Sequence, residues 1–199
     1  MGPAVSRAIL ERVAAGEIPS TVRLSRPGRV VAFGRRDVVA PGYREAVAAA
    51  RAAGYEAMER LAGGRAALYF EGALSLTFAV ADPRPAERTR ARFDAVCELL
   101  REAIASLGVD ARIGEIPGEY CPGEHSINAR GQVKLAGVGQ RMIRGAAHLG
   151  VVIVVTDPAE VRRVLEPVYA ALALDWRPET TGSIATEASG GASGGGGLG

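Results

Sequence analysis

The chain has 199 residues, 48% of them hydrophobic, with 24 basic against 22 acidic side chains. That is apolar material for one sizeable core. Arginine is spread along the chain and aromatic residues are only 5%, which excludes a nucleic-acid surface built from a basic stripe and stacking rings.

No stretch reaches the roughly 18 consecutive apolar residues of a membrane span. The opening MGPAVSRAILERVAAGE is patterned as an amphipathic helix rather than a signal peptide, with Ala4, Ile9, Leu10 and Val13 on one face. Two cysteines without an export signal read as free thiols, so the expected compartment is the cytoplasm. TVRLSRP and RVVAFGR read as two strands of a hairpin around Pro27 and Gly28. YREAVAAARAAG is an Ala-rich helix ended by Gly54. EAMERLA, AALYFE and ALSLTFAVA follow as strands, broken by Gly63–Gly64 and by Gly72. ERTRARFDAVCELLREAIASLG is the longest helix, and VDARIGEI a strand. Residues 125–155 supply two or three further strands. The last helix, DPAEVRRVLEPVYAALAL, starts on an N-cap Asp157 with Pro158 at its first position. From about Thr181 the chain turns Gly/Ser-rich, which predicts a single domain over 1–180 and a disordered tail over 181–199. Hairpins mixed with helices, without strict alternation, predict an α+β fold.

Of the 24 basic residues, 23 are arginine, and Lys134 in QVKLAGVGQR is the one lysine. A solvated surface tolerates either residue, so chance survival is the bland explanation. The sharper one is that this position needs a compact ammonium, or an amine that loses its proton when desolvated, neither of which arginine supplies. Gly137 and Gly139 beside it leave room for a ligand against the backbone.

Cys97 lies on the long helix between Val96 and Leu99 and fits the ordinary role of a small buried apolar residue. Cys121 does not, because GEYCPGEHS has no apolar periodicity and Pro122–Gly123 force a turn. A cation about 4 Å away, at an effective dielectric of about 20, favours the thiolate by up to ~4 kcal/mol before desolvation and screening, enough to make a nucleophile. A hairpin over 125–136 turning at Arg130–Gly131 brings Cys121 and Lys134 together. Cys121, His125 and His148 lack the tight ligand pairing of a zinc site, so no metal is expected. His125 as partner of the thiol has no third orienting residue. RLAGGRAALYF matches neither nucleotide-binding glycine motif, and its double glycine reads as a turn or as a close approach to a slender ligand near Arg60 or Arg65.

These motifs resemble the lipoate-protein ligase / lipoyl-octanoyl transferase superfamily over roughly residues 20–172. The likeness is carried by Tyr120-Cys121-Pro122-Gly123, Lys134, Ala136-Gly137, Gln140-Arg141 and the upstream Arg60-x-x-Gly63-Gly64. It is greatest to the Cys-dependent amidotransferase branch. The resemblance implies mixed, largely antiparallel β-sheets flanked by helices, shared with biotin ligases, and a tunnel for a medium acyl chain. It implies catalytic roles for Cys121, as acyl carrier, and Lys134, with Arg60, Gly63, Gly64, Gly137, Gly139 and Gln140 binding substrate and a backbone N–H between Gly137 and Gln140 as oxyanion donor. The partners it implies are the lipoyl domains of 2-oxo-acid dehydrogenase E2 subunits and the glycine-cleavage H protein, with octanoate or lipoate as the cargo. An acyltransferase of this kind requires no cofactor. An ATP- and Mg2+-dependent ligase is the alternative, and a non-catalytic acyl- or lipoyl-domain binder a third. Tyr69 and Phe70 stand where the ligases carry a histidine, which speaks against adenylation.

Overall fold

The computed structural model describes residues 3–192. In chain order the elements are α1 (Pro3–Ala14), β1 (Thr21–Ser25), β2 (Val30–Phe33), α2 (Arg35–Val38), α3 (Tyr43–Ala52), β3 (Glu56–Glu59), β4 (Ala67–Tyr69) and β5 (Ala73–Ala81). They continue as α4 (Thr89–Ala105), β6 (Ala111–Ile113), β7 (Ile127–Ala129), β8 (Val133–Ile143), β9 (Ala146–Val154), α5 (Pro158–Ala171) and α6 (Ile184–Ala192). Six strands form an antiparallel sheet in the order β1-β5-β9-β8-β7-β6, and three form a second sheet in the order β3-β2-β4. The α+β expectation holds. No helix among the described residues is long and apolar enough to cross a membrane.

The predicted hairpin of 21–33 does not form. β1 pairs with β5, whereas β2 pairs with β3 in parallel and with β4, in the other sheet. The sequence carried a reason. β1 alternates between half-buried and exposed, but VVAF is a continuous apolar run buried along almost its whole length, and one hairpin does not supply two such environments. Pro27, with no N–H for a ladder, marks the corner where the chain leaves one sheet for the other.

Each sheet has its own helices. α3 and α5 cover the small sheet, where Val31, Phe33, Ala46, Val164 and Leu165 are fully buried. Their close approach uses Gly42, because a Cβ there would collide with the Ala171 carbonyl. α4 lays Val96, Leu100 and Ile104 on the far face of the large sheet, and α1 lays Leu10 and Val13 across β5 and β9. Asp157 caps α5, its side chain accepting from the Glu160 N–H at 3.1 Å. Leu165→Ala should lower stability by about 2–5 kcal/mol, measured as a shift of the urea midpoint at constant slope; a loss under about 1 kcal/mol contradicts this packing.

The expected disordered tail is corrected for 181–192. Thr181 bridges Lys134 in parallel, the Gly182 N–H donates to the Lys134 carbonyl at 3.0 Å, and Thr181 and Ser183 are buried. Small residues that build no core of their own dock by main-chain bonds beside β8. A side chain at 182 would stand about 2.8 Å from Val133 Cβ. Residues 193–199 lie outside the described residues.

Candidate active site

Between Ile113 and Ile127 the chain runs without regular structure, and a buried carboxylate organises it. Glu119 accepts from the Ile116 N–H at 3.3 Å through one oxygen; through the other it accepts from the Gly123 N–H at 3.2 Å, the Ser126 hydroxyl at 2.5 Å and Lys134 Nζ at 2.9 Å. The loop thus closes around Cys121, which sits in the left-handed region at φ 44. Such a backbone persists in a non-glycine residue only when its surroundings fix it. Here the Cys121 N–H donates to Tyr169 Oη at 2.7 Å, and that hydroxyl donates to the Ala66 carbonyl at 2.9 Å.

Lys134 enters from β8. Arg130 and Gly131, both at positive φ, turn the β7–β8 hairpin, as expected, and place Lys134 opposite Asn128. Its side chain is 1% exposed, and all three ammonium protons are engaged: to Glu119, to the Tyr120 carbonyl at 3.0 Å and to the Cys121 carbonyl at 2.8 Å. Three acceptors around one nitrogen suit a compact ammonium and not a planar guanidinium fork. The singular lysine therefore reaches the main chain of Cys121 rather than its sulfur.

The sulfur has other partners. Arg60 Nη2 and the Arg65 N–H each donate to Sγ at 3.2 Å. Burial pushes the Cys121 thiol up, but the charges of Arg60 and then Lys134, with the Arg65 N–H and the Arg60 hydrogen bond, bring it below the ordinary thiol value. Cys97 is the contrast, pushed up to about 11 by burial and then by Asp94. Gly64, at φ 107, is required beside the sulfur: a Cβ there would collide with Arg60 and stand 2.8 Å from Sγ. Arg65 is held by buried Asp37 at 3.1 Å, and Asp37 also accepts from the Gly34 N–H. Arg60 keeps a further donor: its Nε is buried without a partner among the described residues.

Cys121 opens on a cavity of about 320 Å3. Arg60, Gly63, Gly64, Gly137, Gly139 and Gln140, the residues expected to bind substrate, are among those that line it. The Gln140 amide is already engaged, accepting from Arg92 at 2.6 Å and donating to the Thr89 carbonyl at 3.2 Å. The backbone donor at the sulfur is Arg65, not a residue of 137–140. His125 stacks on Phe93 with centroids 4.2 Å apart, and His148 lies on β9. Among the described residues no group of three or more His, Cys, Asp or Glu is placed to hold a metal ion. Sequence reasoning missed Glu119, Arg65 as a main-chain donor, and Tyr169. Only Glu119, two residues before Cys121, carried a local signal.

The arrangement provides a strained, acidified thiol, a fixed loop and an adjoining slot, which suits covalent transfer of a group delivered through that slot. The profile of the "Lipoyl protein ligase A/B catalytic domain" matches residues 3–174. The octanoyl-[GcvH]:protein N-octanoyltransferase of Geobacillus kaustophilus is 28% identical over 162 residues, which are 81% of this chain and 57% of that protein. The chain thus spans little more than half of that curated relative's length. In fold it is similar to protein Ta0514 of T. acidophilum with bound lipoic acid, at TM-score 0.59 and 19% identity over 96% of this chain and 89% of that one. It is also similar to lipoate-protein ligase A bound with ATP, at TM-score 0.58 and 18% identity over 94% and 87%. Chemistry, cavity and matched residues converge, and the chain belongs to the lipoyl protein ligase A/B catalytic-domain family.

Proposed function

We propose that this protein is an acyltransferase of protein lipoylation, carrying an octanoyl or lipoyl group as a thioester on Cys121 to a lysine of a lipoyl domain. The observation that carries the reading is the environment of the sulfur: a thiol held below its ordinary pKa by Arg60 and facing the slot. The name of the Geobacillus relative supports the octanoyl group and a glycine-cleavage H protein as the donor, and E2 lipoyl domains follow as acceptors. The cytoplasm is the compartment in which Cys97 and Cys121 stay free thiols.

In the first step the Cys121 thiolate attacks the carbonyl of the donor's acyl-lysine amide. A C–S bond forms, the C–N bond breaks, and the departing amine takes a proton from solvent. In the second step the acceptor lysine amine attacks the thioester: a C–N bond forms, the C–S bond breaks to release the thiolate, and the nitrogen gives its extra proton to solvent. The Arg60 guanidinium, its Nε unpartnered among the described residues, and the Arg65 N–H are the donors nearest the developing oxyanion. Lys134 and Glu119 hold the loop and take no proton in this scheme. ATP and Mg2+ have no part in it.

The test is intact-protein mass spectrometry after incubation with octanoylated H protein. Wild type should gain one octanoyl group that hydroxylamine removes, and Cys121→Ala should gain none and lose transfer to a lipoyl domain. Attachment by Cys121→Ala that requires octanoate and ATP would instead favour an adenylating ligase.

A further inference from the structure

The residues matched to the family end at 174, yet the chain beyond them lies against the Cys121 loop. That loop begins with a tight turn over 116–119, in which the Glu119 N–H donates to the Ile116 carbonyl at 3.2 Å. Gly118 stands at φ 83, the positive value this position of a turn takes after a proline. The turn hands the chain to Glu119, whose carboxylate meets Lys134. The Gly118 carbonyl belongs to the same peptide unit as the Glu119 N–H, and it accepts from the Arg177 N–H at 2.8 Å and the Thr180 hydroxyl at 3.2 Å. A peptide unit is planar, so donors on its carbonyl also fix the N–H that closes the turn. The Arg177 guanidinium donates to the Pro117 carbonyl, and a Cβ on Gly118 would collide with the Arg177 side chain.

Trp176 reaches the other end of the same loop. Its ring lies 6.1 Å from that of Tyr120 and 5.2 Å from that of Tyr169, centroid to centroid. Tyr120 precedes Cys121, and Tyr169 Oη accepts the Cys121 N–H. The segment is anchored independently of the loop. The Thr181 carbonyl accepts from Arg162 Nη2 of α5 at 2.6 Å, the Gly182 N–H donates to the Lys134 carbonyl at 3.0 Å, and the Ala185 N–H donates to the Val155 carbonyl at 2.9 Å. A segment that merely covered apolar surface would present apolar side chains. Thr180 is instead a buried hydroxyl shared between the Gly118 and Arg177 carbonyls.

We infer that residues 176–182 are a positioning element of the reactive loop: Trp176, Arg177 and Thr180 hold the backbone of 116–121 so that the Cys121 sulfur stays on Arg60 Nη2 and the Arg65 N–H. Its consequence for catalysis rests on acyl transfer through Cys121, whereas the placement of the sulfur does not. Charge at the sulfur comes from Arg60 and Lys134, with Tyr69, Tyr120 and Tyr169 near it and Glu119 paired to Lys134. None of these belongs to 176–182. Replacing Thr180 by the equally bulky valine changes no charge, so a change in the thiol's behaviour reports a change in its position.

The test follows alkylation of Cys121 by iodoacetamide against pH, by intact mass. Thr180→Val should move the profile to higher pH and slow alkylation at neutral pH about fivefold, the value of one hydrogen bond. Thr180→Ser keeps the donor and should stay within about twofold of wild type. Val13→Ala opens a cavity under α1, away from this loop, and should lose stability without moving the profile. A Thr180→Val profile that superimposes on wild type overturns the inference, as does a Thr180→Ser profile displaced as far as that of Thr180→Val or an equal displacement by Val13→Ala. Should Thr180→Val fail to fold, Trp176→Leu decides by the same readout. With octanoylated H protein, Thr180→Val should lower kcat about fivefold at unchanged KM, and an effect confined to KM overturns the inference as well. If wild type itself takes up no acyl group, acyl transfer has failed, and the alkylation profiles still decide for the positioning element.

Discussion

Lys134→Met is expected to cost about 3–5 kcal/mol of stability, the range for removing one partner of a buried ion pair. Both side chains of the pair are sealed, Lys134 at 1% and Glu119 at 0% exposure, with 2.9 Å between charged atoms. Methionine fills similar volume, so the loss is not mainly a cavity. It is the penalty of a buried carboxylate left with the Ile116 and Gly123 N–H groups and the Ser126 hydroxyl but no cation. Two main-chain carbonyls, of Tyr120 and Cys121, lose their donor as well. Lys134→Arg should lose a comparable amount, since a planar fork does not meet three acceptors converging on one point. Lys134→Met/Glu119→Gln should be more stable than Lys134→Met alone, because no unpaired charge remains. Urea unfolding of the four proteins checks this, and a Lys134→Met midpoint equal to wild type contradicts the buried pair as the clamp of the Cys121 loop.

That clamp shows what the sequence could reveal and what it could not. One lysine among 23 arginines reveals that a position has special requirements, and the Arg130–Gly131 turn reveals how it reaches Cys121. The glycines at 63, 64, 137 and 139 were readable as the walls of a slot. Which groups touch the sulfur was not readable, because the Arg60 guanidinium and the Arg65 N–H arrive from 61 and 56 residues away through the other sheet. Sheet membership was hidden for the same reason. Adjacent strands with a Pro-Gly turn look like a hairpin until long-range pairing with β5 competes for β1. The docking of 181–183 was invisible to composition, since it rests on main-chain bonds and on the smallness of Gly182 rather than on apolar area.

Arg60→Gln should raise the Cys121 thiol pKa, slowing its alkylation at neutral pH about tenfold or more. The largest single influence on this thiol is burial, which disfavours the thiolate; Arg60 is the first of the opposing influences. A unit charge at about 4 Å in an effective dielectric of about 20 contributes up to ~4 kcal/mol, and its removal leaves desolvation opposed by Lys134 and the Arg65 N–H alone. The sign follows. Wild-type reactivity with iodoacetamide should climb as pH rises through a pKa below the ordinary thiol value, and the variant's climb should begin at higher pH. The depressed pKa also means that this group adds stability as pH rises from its folded value toward the ordinary one, a gain Arg60→Gln should lose. Cys97, fully buried with its thiol pushed up to about 11, stays silent in the same window. Acyl transfer should fall further than alkylation, by about 10²–10³ at saturating donor, because an oxyanion donor is lost as well. Should the two pH profiles superimpose, Arg60 is not the counter-charge of the thiolate, and Lys134, compensated though it is by Glu119, would have to supply the field at the sulfur.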